Sequence, residues 1–193
     1  MNFGIVVERV FDSQVYPILI RRIRNDESFI QVRKSLGKSK MKNGFLAFLK
    51  EFDRNHAWQI NAAIVIRDSD CQSPRQIEQQ MQGTHSASGF KPRFAVEFFA
   101  VQCVLESWLL SDLHAIHAAS GRMNQNLALP PSIQIPNSHS PQDKSIFVRV
   151  LSHFGLPATP AVYASVASNT DLARVGDRYS YFRSFQARIT SLQ

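Results

Sequence analysis

The chain has 193 residues, of which 44% are hydrophobic and 19% charged, enough to bury one proper core. No run of 18 apolar residues occurs, and the opening "MNFGIVVERVF" carries an acid where a secretory leader would have a basic segment and then a long apolar one. These features argue against a membrane-spanning helix or a signal peptide and set the expectation of a cytoplasmic protein. The net charge of +7 is localised: residues 21 to 50 hold nine bases against two acids, while the remainder balances thirteen against thirteen. Such a stretch is the electrostatic footprint of a polyanion-binding surface, although a solvated helix face has the same composition.

"FGIVVE" (3 to 8) is a β-branched apolar run that reads as a buried strand ending in Glu8. "SQVYPILIRRIR" (13 to 24) places Val15, Ile18, Leu19 and Ile23 at helical spacing, with Asp12 or Ser13 as cap and Pro17 tolerated near the first turn. "SFIQV" is a possible strand. "MKNGFLAFLKEF" (41 to 52) predicts a helix with Phe45, Leu46, Phe48, Leu49 and Phe52 inward. "QINAAIVI" (59 to 66) predicts a second strand, and Ser73 with Pro74 starts the next helix. "RFAVEFFAVQC" (93 to 103) reads as a strand and "ESWLLSDLHAIHAAS" (106 to 120) as one helix, with Trp108 in the core and Asp112 a solvated residue.

Strands alternate with helices through residue 120, which predicts an α/β core over 1–120 built on a mainly parallel sheet flanked by helices. Residues 121–143 carry four prolines and little periodicity, so they read as a loop or linker. Short helical candidates over 144–193 predict a C-terminal helical subdomain packed on that core.

The apolar run "AAIVI" stops abruptly in Asp68 and Asp70. Two carboxylates about 4 Å apart repel by roughly 4 kcal/mol at an effective dielectric near 20, so such a pair asks for a cation or base. In an open α/β sheet, ligands bind beyond the carboxyl ends of the strands, and Glu8, the two aspartates and Glu106 all fall there. If the chain is still extended, the i, i+2 spacing puts the aspartates on one side about 7 Å apart, within reach of a hydrated divalent ion. Oxygen ligands without histidine favour Mg2+ or Mn2+ over zinc. The blander reading of a DxD after a strand is a turn or a helix cap. Glu8 and Glu106 at equivalent strand ends tip the balance toward a site.

Other signals weigh less. Cys71 and Cys103 lie 32 residues apart with no CxxC, so they are expected as reduced, half-buried thiols rather than a disulfide framework or a zinc site. "LGKSK" (36 to 40) lacks the upstream glycine of a phosphate loop. His114 and His117 share a helix side and read as a half-exposed pair. A DxD also serves haloacid-dehalogenase phosphatases, but there it follows the first strand, where this chain has "VVE".

"VVE" closing the first strand and "RDSD" closing a later one resemble the Toprim domain of topoisomerases, DnaG-type primases and OLD-family nucleases. "VVERVFDSQVYPILIRRI", "IVIRDSDC", "LESWLLSD" and "FRSF" follow in order the segments of a bacterial Toprim-like family often encoded beside AAA or SMC-type ATPases in phage-defence settings. The resemblance implies Mg2+- or Mn2+-dependent phosphodiester chemistry, with Glu8 as acid or base and Asp68 and Asp70 on metal. It makes Glu106 a further ligand, and Asp12, Trp108, Arg183, Ser184 and Phe185 motif residues. Nucleic acid would lie along Arg9, Arg33, Lys34, Lys38, Lys40 and Lys42, and an ATPase is the implied protein partner. A glycine usually follows the Toprim glutamate, whereas Arg9 stands here, so a non-catalytic interaction module regulated by a partner is the alternative implication.

Overall fold

A computed structural model describes residues 1–35, 37–121 and 128–192, and the side chains of Lys38, Ser39, Lys40 and Lys42 lie outside that description. Four parallel strands, β1 (Asn2–Val7), β2 (Phe29–Lys34), β3 (Ala62–Asp68) and β4 (Ala95–Val101), form one sheet in the order β2-β1-β3-β4. Parallel neighbours need crossovers, which the chain supplies as helices: α1 (Val10–Arg24), α2 (Lys38–Arg54) and α3 (Pro74–Ala87). After β4 come α4 (Leu105–Leu110), α5 (Leu113–Ala119), α6 (Asp143–His153), α7 (Pro160–Asn169), α8 (Leu172–Arg178) and α9 (Ser180–Ser191). The expected α/β class with a parallel sheet is therefore the observed one.

Strand alternation divides the core in two. Ile5 and Val7 of β1, with Ile64 and Ile66 of β3, face a large cluster that includes α1 and α4 through α9. Val6, Ala63 and Val65 face the smaller cluster of α2 and α3. Trp108 is at the heart of the larger one, 4.8 Å from the Phe182 ring and 5.4 Å from the Phe185 ring. The C-terminal helices thus contribute to the same core as the sheet. On the other face, the ring of buried Phe52 fills the space over Gly4, where an added Cβ would fall 2.5 Å from Phe52 Cδ2.

The outer edge of β4 is closed by side chains rather than by a fifth strand. Glu78 Oε1 accepts from Ala100 N at 3.1 Å, Arg188 Nη1 donates to Phe98 O at 2.8 Å, and the two side chains pair at 2.9 Å. Satisfying edge groups in this way discourages pairing with another chain.

Several boundaries differ from the sequence reading. α1 starts three residues earlier than expected, so Pro17 falls mid-helix, where it offers no N–H to the Ser13 carbonyl. Gln59 is left-handed, with φ 46°, and β3 starts only at Ala62; at its other end the strand runs through Asp68. The helix expected over 106–120 breaks at Asp112. This residue is buried, not solvated: it accepts from His114 N, Ala115 N and Asp171 N and pairs with Arg174 at 2.9 Å. Residues 128–142 run without helix or strand, and residues 122–127 of the expected loop lie outside the described residues.

Candidate cation site at the carboxyl edge of the sheet

The ends of β1 and β3 and the start of α4 bring Glu8, Asp68 and Glu106 to one edge of the sheet, all of them buried. Asp12 joins them from the first turn of α1. Its carboxylate accepts from Arg9 N at 2.9 Å, which caps the helix from its third position and draws the acid inward. Sequence reading had Asp12 as a cap and a motif residue but not as part of the acidic cluster.

The pleat then distributes these charges. Arg9 and Asp68 continue the alternation of the residues facing the larger cluster, and they pair at 3.4 Å. Glu8 and Arg67 continue the opposite parity and pair at 3.3 Å. Asp68 and Glu8 therefore lie toward opposite faces of the sheet edge, each with a guanidinium beside it. Among the described residues, no three His, Cys, Asp or Glu side chains stand in a ready metal-binding arrangement. Asp70 does not extend the strand as expected. It is exposed and left-handed, with φ 50°, so the two aspartates of the DxD do not share one strand face.

The electrostatics are those of crowded, dry acids. Burial pushes Asp68 well above the ordinary aspartate range, with the charges of Asp12 and Glu106 adding to the effect and Arg9 opposing it. Burial, opposed by Arg9, carries Asp12 from 3.8 to about 7, and Glu106 and Glu8 add to the rise. Burial works against the Arg9 charge, but Asp68, Asp12, Glu106 and Glu8 together hold its pKa above the usual value. Tyr163 donates to Glu106 Oε1 at 3.3 Å, and burial raises its own pKa. Asp68 Oδ2 and Glu106 Oε2 are buried and make no hydrogen bond among the described residues. Buried carboxylate oxygens left in that state are costly unless a cation completes them.

The chemistry of this donor set, oxygen-only and negative, fits a hard divalent cation. Asp68 and Glu106, whose charges act on one another, would hold it once the Arg9 side chain gives way. A hollow of about 430 Å3 opens beside Glu8 and is lined by Arg9, Phe11, Lys34, Ser35 and Lys144 among others. Lys34 and Lys144 make it basic. Lys144 and Arg67 escaped the sequence reading; Arg67 was legible only as the residue before the DxD, and Lys144 comes from a helix 136 positions beyond Glu8.

The remaining expected residues lie apart from this site. Arg33 pairs with Glu51 at 2.6 Å and lies over the Trp58 ring at 4.8 Å. The side chains of Lys38, Lys40 and Lys42, and the "LGKSK" segment at Leu36, lie outside the described residues. Arg183 is exposed, donates to Gly176 O and pairs with Asp177; Ser184 bonds back to Ser180 O. Trp108 and Phe185 are core residues. Cys71 and Cys103, expected as thiols, form a disulfide. Their loops leave adjacent parallel strands at the same end, a tertiary proximity that a 32-residue spacing does not reveal.

The chain is similar to two solved regions of OLD proteins. The C-terminal region of the Xanthomonas campestris pv. campestris OLD protein covers 96% of this chain and 96% of its own, at 14% identity and a TM-score of 0.46. The C-terminal region of the Burkholderia pseudomallei OLD protein covers 95% of this chain and 98% of its own, at 11% identity and a TM-score of 0.42. No protein-family model matches the chain, and no curated protein matches it. No helix among the described residues is long and apolar enough to cross a membrane.

Proposed function

We propose that this chain is a divalent-cation-dependent, Toprim-like domain that processes nucleic-acid phosphodiesters, as a nuclease working with an ATPase partner. The observation that supports the reading is a cluster where four carboxylates meet two guanidiniums, in which buried Glu106 Oε2 makes no hydrogen bond among the described residues and buried Asp68 Oδ2 has only the 3.4 Å ion pair with Arg9. With every group ionised, that leaves two negative charges for one divalent ion to balance. The ordered motifs "VVE" and "RDSD" support it from the sequence side.

Bound Mg2+ or Mn2+ would polarise a phosphate and lower the pKa of an attacking water. Glu8, buried beside the basic hollow, takes the proton on a carboxylate oxygen. Lys34 and Lys144 hold the nucleic-acid backbone by charge, without reading its sequence. Arg9, 28% exposed in its side chain and placed at the N-cap of α1, exchanges Asp68 for a substrate phosphate. A second reading, a non-catalytic interaction module, draws on the same Arg9, because a guanidinium that never leaves Asp68 excludes the metal.

Nicking or cleavage assays on DNA and RNA with Mn2+ and the ATPase partner separate the two. Wild type or Arg9→Gly cuts, and folded Glu8→Gln and Asp68→Ala proteins do not, if the enzyme reading holds. Absence of cutting by both wild type and Arg9→Gly favours the interaction module.

A further inference from the structure

The disulfide joins the loop after β3, which follows Asp68 and carries Asp70, to the loop after β4, which leads into the helix that carries Glu106. Cys71 directly follows Asp70 in the loop after β3; Cys103 lies three residues before Glu106 in the loop after β4. Its two ends differ in access, since Cys71 is exposed and Cys103 is 3% exposed. Asp70, Cys71 and Cys103 are all left-handed, at φ 50°, 62° and 62°, a basin that non-glycine residues enter rarely and only when held. Three hydrogen bonds run alongside the bridge: Ser69 N to Val101 O at 3.0 Å, Asp70 N to Cys103 O at 2.9 Å, and Cys103 N to Ser69 Oγ at 2.9 Å.

We propose that Cys71–Cys103 is a redox site whose chemical partner is a dithiol, and that its state sets how firmly these two loops are held. A dithiol thiolate attacks the sulfur of the exposed residue Cys71, and the S–S bond breaks with Cys103 leaving as thiolate and taking up a proton. The second thiol of the reductant then attacks its own sulfur in the mixed disulfide and releases Cys71 as a thiol. The protein gains two electrons and two protons, and the reductant ends as its cyclic disulfide. The parallel hydrogen bonds keep the loops folded after reduction, so the change is local: Asp70 and Cys71 relax from the left-handed basin, and Asp70 is no longer aimed by the bridge. The consequence for cation binding rests on the proposed function; the chemistry of the bridge does not.

The test uses the full chain purified without reductant. Intact-mass counting of N-ethylmaleimide adducts gives none before and two after native treatment with dithiothreitol, with the circular dichroism unchanged. Amide exchange then speeds up at residues 69–71 and 102–106 and nowhere in the core strands. A Cys71→Ser, Cys103→Ser double variant matches the reduced protein and ignores dithiothreitol; if it does not fold, the wild-type comparison decides alone. Mn2+ affinity, measured anaerobically after the reductant is removed, falls about tenfold on reduction, the order seen when groups that orient metal ligands are lost. Two adducts before reduction, a bridge that opens only on denaturation, or unchanged exchange at both loops would overturn the redox site. Equal Mn2+ affinity in the two states would overturn its control of the acids. Absence of Mn2+ binding in both states refutes the proposed function, while labelling and exchange still decide the bridge.

Discussion

Replacing Arg9 by Ala removes the guanidinium 3.4 Å from Asp68 Oδ2 but keeps the backbone N–H that Asp12 accepts. At an effective dielectric near 20 the lost attraction is about 5 kcal/mol, an upper bound. The Asp68 side chain is only 2% exposed, whereas that of Arg9 is 28% exposed, and Asp68 can neutralise itself by taking a proton. A destabilisation of about 3 kcal/mol at pH 8 is therefore expected, at the lower end of what breaking a buried pair costs. For a chain of this length that is a Tm lower by roughly 6 to 12 °C. Loss of Arg9 raises the Asp68 pKa further, so the folded state holds more protons than the unfolded one and the variant loses stability as pH rises. Acidifying to pH 5.5 should restore most of the deficit. Urea melts in EDTA, then with Mn2+, complete the test: the ion should stabilise the variant more than wild type, because Arg9 no longer competes, by up to about 2.7 kcal/mol at a hundredfold excess over Kd. A variant as stable as wild type at pH 8, or a Mn2+ effect equal in both proteins, would refute the view that Arg9 stands in for a metal.

Asp12→Asn should flatten the pH dependence. With Asp12 at about 7 when folded and 3.8 unfolded, its stabilising protonation is present at low pH and lost as pH rises toward and past 7, so wild type should lose about 2 to 3 kcal/mol more than the variant between pH 5 and pH 8 in urea melts. Gly4→Ala drives a methyl group into the Phe52 ring and should cost about 1 to 3 kcal/mol, with the cost reduced when Phe52→Leu is added. Lys34→Gln with Lys144→Gln should weaken DNA or RNA binding alike on all sequences and lower the salt slope by roughly one unit per lost contact.

The alternation of strands and helices was legible because buried strands are unbroken β-branched runs and helices carry the 3.6-residue period. Edge strand β2 showed less clearly: it exposes Phe29 and buries neither face fully. The break at Asp112 was hidden because "LLSDLHAI" is apolar enough for one helix, and only the partners Arg174 and Asp171 N make a buried cap favourable there. The gathering of acids at one sheet edge followed from strand ends. Their division between faces did not, since it depends on β1 and β3 lying in a register where Val6 opposes Val65, so that Glu8 meets Arg67 and Asp68 meets Arg9. The cysteine pairing and the approach of Lys144 to Glu8 are tertiary facts with no local signal.

The central claim is that these acids form a cation site, and calorimetric titration of the metal-free protein with Mn2+ tests it most directly. The account predicts saturable binding in the millimolar range or tighter, lost in an Asp68→Asn, Glu106→Gln protein that keeps the wild-type circular dichroism. It also predicts tighter binding in Arg9→Gly. Saturable binding that survives the double substitution, or none in either wild type or Arg9→Gly, would contradict it.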